Sequence, residues 1–274
     1  MNSRRIGMLV TALAAGLMAT ALLASGASAR TPAKGYEAFA GCPSPEENSQ
    51  VIACINTKIK GGHFQMGSKD VPITKTMTLS GGVNFEGNSV ASPAGGLTKV
   101  KQKVPGGVIG LTGLTWLLEF LGSEALTLYA TTELAGQPKH VLEPPISLPI
   151  RVHLENAVLG NNCYVGSFTN PIQLQLTDGT TSPPPPNKPI SGKSFEPPFE
   201  KEGAEIAFFN NGELVDNSFA APGASGCVLT LFGFIPISIN GLVNSQSGLP
   251  AAAGTNETRQ VTDLELALPS SVYP

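Results

Sequence analysis

Ile150-Arg151-Val152-His153-Leu154-Glu155 is the stretch of this 274-residue chain that most directly indicates its fold. Apolar and polar side chains alternate along it, so the apolar ones share one face, as in a half-buried β-strand. The same alternation recurs in four further segments, which are Leu126 to Leu134, Ile172 to Leu176, Ile235 to Ile239 and Thr262 to Leu268. We therefore expect strands to dominate the chain.

Turn signals separate these short strands. Paired glycines such as Gly61-Gly62 and Gly81-Gly82 stand between them, and Asn210-Asn211-Gly212-Glu213 predicts a two-residue hairpin turn because Asn-Gly readily takes positive φ angles. Short strands with regular turns are typical of antiparallel all-β folds. The predicted fold is mainly β, an antiparallel β-sandwich or a barrel-like domain.

Two segments stand out by their apolar character. Apolar residues at helical spacing predict one short apolar helix over about residues 111–121, which is too short to span a bilayer. Residues 217–256 contain no charged side chain, and core strands with Gly- and Ala-rich turns are the simplest interpretation. If such a stretch were exposed, it would mark an interface.

Composition excludes some classes of function. Charged residues make up 14% of the chain and hydrophobic residues 41%, which argues against nucleic-acid binding through a basic patch and against a mostly disordered chain. Two of the 17 basic residues and none of the 20 acidic ones lie in the first 29 residues, so the remainder carries a net charge of −5. General attraction to anionic polymers is not expected.

The amino-terminal segment has the features of a secretion signal. Arg4 and Arg5 precede an apolar stretch, and Ala27-Ser28-Ala29 matches a cleavage site. The predicted organisation is a signal peptide at 1–29 and a single secreted β-rich domain at 30–274, with a proline-rich loop near 179–200. An uncleaved anchor is the alternative. After signal removal we expect no stable membrane span and an extracellular location, with cell-wall association as a further option.

All four cysteines, Cys42, Cys54, Cys163 and Cys227, follow the predicted cleavage site. An even number of cysteines in an oxidising compartment predicts two disulfides. We favour pairing Cys42 with Cys54 and Cys163 with Cys227, although the other two connectivities remain open. Their spacing does not match a zinc site, so no metal and no other cofactor is predicted.

Signals for catalysis are sparse. Common nucleophile, zinc-protease, calcium and phosphate-loop motifs are missing from the sequence. His153 and Glu155, two residues apart on one strand face, are the best candidates for acid-base chemistry, but the solvated face of a half-buried strand is the simpler explanation of the pair. Candidate ligand-binding residues are Trp116 in the predicted helix and the row formed by Lys99, Lys101 and Lys103.

Three functions follow as hypotheses. The first is a secreted, non-enzymatic cell-surface or extracellular binding or structural protein, with a cell-envelope polymer, a lipid or another surface protein as its partner. The second is a secreted hydrolase of polysaccharide or ester bonds. The third is a carrier of an apolar ligand in a cavity lined by Leu114, Leu118, Phe232 and Phe234.

The sequence resembles a group of exported actinobacterial proteins of uncharacterised function. Turn, loop and cysteine segments carry the resemblance: Val71-Pro72-Ile73-Thr74-Lys75, Cys163-Tyr164-Val165-Gly166-Ser167, Thr181-Ser182-Pro183-Pro184, and residues 215–219 leading into 222–227. It covers most of the chain after the signal. The resemblance implies a shared exported scaffold and assigns no reaction and no functional residue.

Overall fold

The computed structural model describes residues 30–200, 205–231 and 234–274, so the predicted signal peptide lies outside the described residues. In chain order the strands are β1 (Val51–Met66), β2 (Lys69–Pro72), β3 (Met77–Asn84), β4 (Ser89–Val90), β5 (Gly96–Leu97), β6 (Lys101–Lys103), β7 (Tyr129–Leu134), β8 (Ile146–Glu155), β9 (Tyr164–Val165), β10 (Ile172–Leu176), β11 (Phe199–Glu200), β12 (Ile206–Asp216), β13 (Ala224–Ser225), β14 (Val228–Leu231), β15 (Ile235–Ser238) and β16 (Glu257–Ala267). The α-helices are α1 (Gly107–Thr112), α2 (Leu117–Ala125), α3 (Asn240–Ser247) and α4 (Pro269–Val272), and the 3₁₀-helices are Glu37–Phe39 and Ala157–Leu159.

Two antiparallel sheets form the body of the protein. The larger one has the order β11-β12-β16-β1-β3-β4, with β2 beside β1 and β5 beside β3. The smaller one has the order β13-β9-β8-β7-β6, with β10 beside β8, and β14 and β15 form a separate two-stranded ribbon. The two larger sheets pack together, which confirms the predicted antiparallel, sandwich-like fold.

Alternating residues of β8 and β10 build the centre of the core. Ile150, Ile172 and Leu174 are almost fully buried, and they pack with residues of β1 and β12 from the facing sheet. Burying one such side chain contributes roughly 1.5–3 kcal/mol, so the period-two pattern specifies which face each strand turns inward. The polar residues of β8 therefore point outward together.

The predicted helix at 111–121 is present as two short helices, α1 and α2. Gly113 ends α1 with a φ of 72°, and its N–H donates to the carbonyl of Ile109. This left-handed conformation is easy for glycine and turns the chain away from the helix axis. Trp116 consequently lies in the turn before α2 rather than inside a helix.

The hairpin predicted at residues 210–213 is wrong. Both sides of that segment pair with the same strand, β16, and the register shifts between Phe209 and Gly212. One extra residue is accommodated there as a β-bulge, with Asn211 at a φ of 54°. The positive φ favoured by the Asn-Gly pair is thus used within one strand rather than at a chain reversal.

Both favoured disulfides are present. Cys42 bonds to Cys54 twelve residues away, and Cys163 bonds to Cys227 across 64 residues. The long-range bond spans the proline-rich loop, whose Asn187 donates side-chain hydrogen bonds to the carbonyls of Asn217 and Asn256. The loop is therefore held against the strands on either side of it.

The uncharged stretch 217–256 is only partly buried. Ile239 and Val243 belong to the core, but residues 234–238 are all exposed. The expectation that the whole stretch is core is wrong for this part, because β14 and β15 pair with each other and with neither large sheet. Within the described ranges, no helix combines the length and the apolar character needed to cross a membrane.

Candidate functional site

Four candidate residues predicted from the sequence lie on one surface of the smaller sheet. Lys101 is on β6 with Lys99 just before it, while His153 and Glu155 are on β8. Strand β7 lies between these two strands and pairs with both. We call this outward surface of β6, β7 and β8 the polar face.

Glu133 of β7 connects the two outer strands of the polar face. One carboxylate oxygen lies 2.9 Å from Lys99 Nζ, and the other accepts from Arg151 Nη2 at 2.6 Å and Nε at 3.0 Å. The side chain is only 8% exposed. Burial raises the pKa of Glu133, but the hydrogen bonds and charges of Lys99 and Arg151 outweigh it and hold the pKa below its usual value of 4.5.

Glu155 of β8 is a second ion-paired carboxylate of the polar face. Lys101 Nζ lies 2.5 Å from one of its oxygens, and the Thr131 hydroxyl donates to the other. Burial raises the pKa of Glu155, whereas the hydrogen bonds from Lys101 and Thr131 and the charges of Lys101 and His153 lower it more strongly. The resulting pKa is below the usual value, so Glu155 is ionised at neutral pH and is a poor proton donor.

His153 has contacts on both ring nitrogens and on its flat face. Its Nε2 lies 3.1 Å from the carbonyl oxygen of Asn161, which requires a proton on Nε2. Its Nδ1 is 3.9 Å from Glu155, too far for a direct hydrogen bond. The ring stacks on Tyr164 of β9 at 4.3 Å. These contacts position His153 as part of a packed surface layer.

Arg151 extends this layer toward solvent. Its guanidinium carbon lies 4.3 Å from the Tyr164 ring centroid and 4.0 Å from that of Phe168. Both distances are within the range of cation–π attraction. Phe168 itself is 64% exposed, so the polar face ends in an accessible aromatic ring.

An open cleft of about 440 Å³ lies at the edge of the polar face. Lys101, His153, Glu155 and Asn161 line it. It can accept hydrogen-bonding groups, but the two charges in it already neutralise each other at 2.5 Å. In the described part of the chain, no group of three His, Cys, Asp or Glu side chains is arranged to hold a metal ion.

The remaining two predicted binding residues lie away from the polar-face cleft. Lys103, at the end of β6, lines a different cleft together with residues of the α1 region. Trp116 is 42% exposed in the turn before α2. The structure thus joins Lys99 and Lys101 to the β8 residues and separates Lys103 and Trp116 from them.

Sequence reasoning favoured a core position for residues 217–256 and so missed an exposed apolar element, which consists of β14, β15 and Phe234 just before β15 and which we call the apolar ribbon. Phe234 is 74% exposed, and Ile235 and Ile237 are each about two-fifths exposed. Ile239, just after the ribbon, is buried and donates its N–H to the carbonyl of Cys227 at 3.0 Å. The absence of charge in residues 217–256 was the signal for this surface.

The residues predicted to line a carrier cavity do not surround a common space among those described. Phe234 is exposed, Leu114 packs at the edge of the core, and Phe232 and the side chain of Leu118 lie outside the described part. Two cavities between the sheets measure about 50 and 30 Å³, and neither is lined by Leu114 or Phe234. Each has room for only a few water molecules.

These features define a disulfide-bonded, antiparallel β-sandwich-like protein with a charge-paired face and a separate apolar ribbon. No family model, no curated protein and no solved structure matches the chain. The resemblance to exported actinobacterial proteins therefore stays a prediction.

Proposed function

We propose that the protein is a secreted, non-enzymatic binding protein that attaches to the lipid surface of a cell envelope through the apolar ribbon. The observation that carries this proposal is the exposure of Phe234, Ile235 and Ile237 within a stretch of forty uncharged residues. Exposed apolar groups clustered on one element commonly mark an interaction surface. The absence of charge on this stretch suits contact with the hydrocarbon edge of a bilayer, where burying a charge is costly.

The base of the ribbon is firmly held. Cys227, immediately before β14, is bonded to Cys163, and its backbone N–H donates to the Asn240 side chain at 2.8 Å. The carbonyl of Cys227 accepts from the N–H of Ile239, the residue just after β15. A fixed base presents the apolar side chains in one orientation, which lowers the entropy cost of binding.

Two features favour lipid over a second protein chain. Pro236 lies in β15 and has no backbone N–H, and proline in an edge strand opposes the addition of a further strand. The described residues of the ribbon offer three large exposed apolar side chains, Phe234, Ile235 and Ile237, whereas a stable protein interface buries roughly 800 Å² and about 20–30 residues per partner. Insertion of a few side chains at headgroup depth requires no such area.

The polar face supports a role in binding rather than catalysis. Glu155 is paired with Lys101, and His153 donates to a backbone carbonyl while stacking on Tyr164. Both predicted catalytic side chains are thus held by neighbouring residues of the protein, an arrangement that favours a structural role for them. The two disulfides are compatible with an extracellular location.

Sedimentation with phosphatidylcholine vesicles tests the proposal. We expect the purified protein to sediment with the vesicles at both low and high salt, because the contact is apolar. Replacing Phe234 and Ile237 together by Ser should weaken partitioning by about tenfold or more, since burying each side chain contributes roughly 1–3 kcal/mol. Phe85→Ser is the matched control because Phe85 is 81% exposed in the turn between β3 and β4.

Three results would overturn this function. They are failure of the wild-type protein to bind vesicles, equal loss of binding in the Phe85 variant, and unchanged binding in the Phe234/Ile237 variant. Sedimentation with purified cell-wall polymer but not with vesicles would also contradict lipid attachment. A concentration-dependent dimer that disappears in the ribbon variant would identify a second copy as the partner instead.

A further inference from the structure

The open cleft that Lys103 lines lies beside α1 and has a volume of about 590 Å³. Its walls are mainly apolar and include Val104, Pro105, Ile109 and Leu126. Ligand sites in proteins typically measure roughly 300–1,000 Å³ and combine apolar walls with a few polar groups. Size and composition therefore suit a small amphipathic molecule.

Backbone hydrogen bonds hold the cleft in shape. The N–H of Val104 donates to the carbonyl of Leu128, and the N–H of Val108 donates to the carbonyl of Leu126, both at 2.9 Å. These bonds join the first turn of α1 and the segment before it to the segment that follows α2. The walls are thus connected before any ligand arrives, which favours binding.

Lys103 gives this cleft its charge. Lys99 is paired with Glu133 and Lys101 with Glu155, whereas Lys103 has no ion-pair or hydrogen-bond partner for its side chain among the described residues. No acidic side chain is among the residues lining the cleft in the described part of the chain. An uncompensated ammonium beside an apolar wall is complementary to an anion that carries a hydrocarbon chain.

We propose that this cleft binds a free fatty-acid anion, with the carboxylate at Lys103 and the hydrocarbon chain along Ile109 and Leu126. Ser123 and Thr127, which carry hydroxyl groups, are also among the residues lining the cleft. The hydroxyl of Thr74, another lining residue, already donates to Gln102. This site takes one ligand molecule rather than a bilayer surface, and it does not rest on the proposed attachment of the apolar ribbon.

Titration calorimetry with decanoate, below its micellar concentration, tests the site. We expect one decanoate per chain and much weaker binding of decyltrimethylammonium, which has the same chain and the opposite charge. Lys103→Gln should weaken decanoate binding about tenfold, the usual effect of losing a hydrogen bond to a charged group. Raising the salt concentration should weaken wild-type binding more than binding by this variant.

Lys139→Gln is the matched control. Lys139 is exposed and pairs with Ser147 at the opposite end of β8, far from the cleft. Ile109→Asn provides a second variant, expected to weaken decanoate binding by removing part of the apolar wall. An unchanged melting temperature for the Lys103 variant is expected because its side chain is exposed and unpaired.

The proposal is overturned if Lys103→Gln binds decanoate as well as the wild-type protein does, or if the cationic analogue binds equally tightly. Loss of decanoate binding in the Phe234/Ile237 variant would place the ligand on the apolar ribbon and overturn it as well. Conversely, Lys103→Gln should retain vesicle binding. These measurements therefore test the fatty-acid site and the lipid attachment of the apolar ribbon independently of each other.

Discussion

At the scale of single residues, Glu133 is the group on which the polar face depends most. It is nearly buried, it accepts two hydrogen bonds from Arg151, and its second oxygen contacts Lys99. Breaking a well-formed, mostly buried pair costs more than breaking an exposed one, because the remaining partner keeps its desolvation cost. Arg151, with only 18% of its side chain exposed, would be that remaining partner.

Replacing Glu133 by Gln should lower the free energy of unfolding at pH 7 by roughly 2 kcal/mol. The pKa of Glu133 is lowered in the folded protein, so its stabilising effect is present above pH 4.5 and is lost as the pH falls through the folded-state pKa. The difference between variant and wild-type protein should therefore shrink at pH 3. Urea unfolding at both pH values measures this difference.

Glu46→Gln is the control for this prediction. Glu46 is 78% exposed and faces Arg30 at 3.4 Å, so its loss should change stability by less than about 0.5 kcal/mol. If the Glu133 variant lost the same free energy at pH 3 as at pH 7, the effect would be steric, and the charge explanation would be wrong.

At the scale of elements, Gly113 separates α1 from α2. Its φ of 72° disfavours any residue with a Cβ, and a Cβ there would lie 3.3 Å from the Gln246 side chain. Gly113→Ala should therefore lower stability by about 1 kcal/mol. Gly110→Ala is the matched comparison, and we expect it to have the opposite effect. Gly110 is helical, and the nearest atom to a Cβ built there is 3.5 Å away, so alanine should raise the free energy of unfolding by about 0.5–1 kcal/mol.

Urea unfolding measures the free energy of unfolding of both glycine variants and of the wild-type protein. Stabilisation by both substitutions would mean that the chain prefers one continuous helix through residue 113. That result would contradict the observed division into α1 and α2.

The elements that could be predicted from the sequence are those in which the alternation of apolar and polar residues matches the alternation of buried and exposed positions. β10 was predicted with its observed bounds because alternating burial of Ile172 and Leu174 leaves a period-two signal. Asn211 was misassigned because its positive φ serves a bulge, and only pairing of both flanks with β16 distinguishes a bulge from a turn. The contacts of Lys101 with Glu155 depend on strand order, and strand order has no local sequence signal.

At the scale of the whole molecule, the two disulfides have different tasks. The Cys42–Cys54 bond closes a loop of twelve residues between the amino-terminal segment and β1. The Cys163–Cys227 bond joins the segment before β9 to the base of the apolar ribbon across 64 residues. A longer closed loop restricts the unfolded chain more, so the second bond should contribute more stability.

Replacing both cysteines of one disulfide by Ala, in two separate variants, distinguishes the effect of each bond on stability from its effect on the position of the apolar ribbon. The chain-entropy relation predicts a loss of about 3 kcal/mol for the Cys42/Cys54 variant and about 4 kcal/mol for the Cys163/Cys227 variant, measured by urea unfolding. Under conditions where both variants remain folded, only the second should also lose vesicle binding, because only it frees the base of β14. Equal vesicle binding by the two variants would show that lipid binding does not require the fixed base of the apolar ribbon. Loss of vesicle binding in the Cys163/Cys227 variant alone would show that lipid binding depends on the position of Cys227.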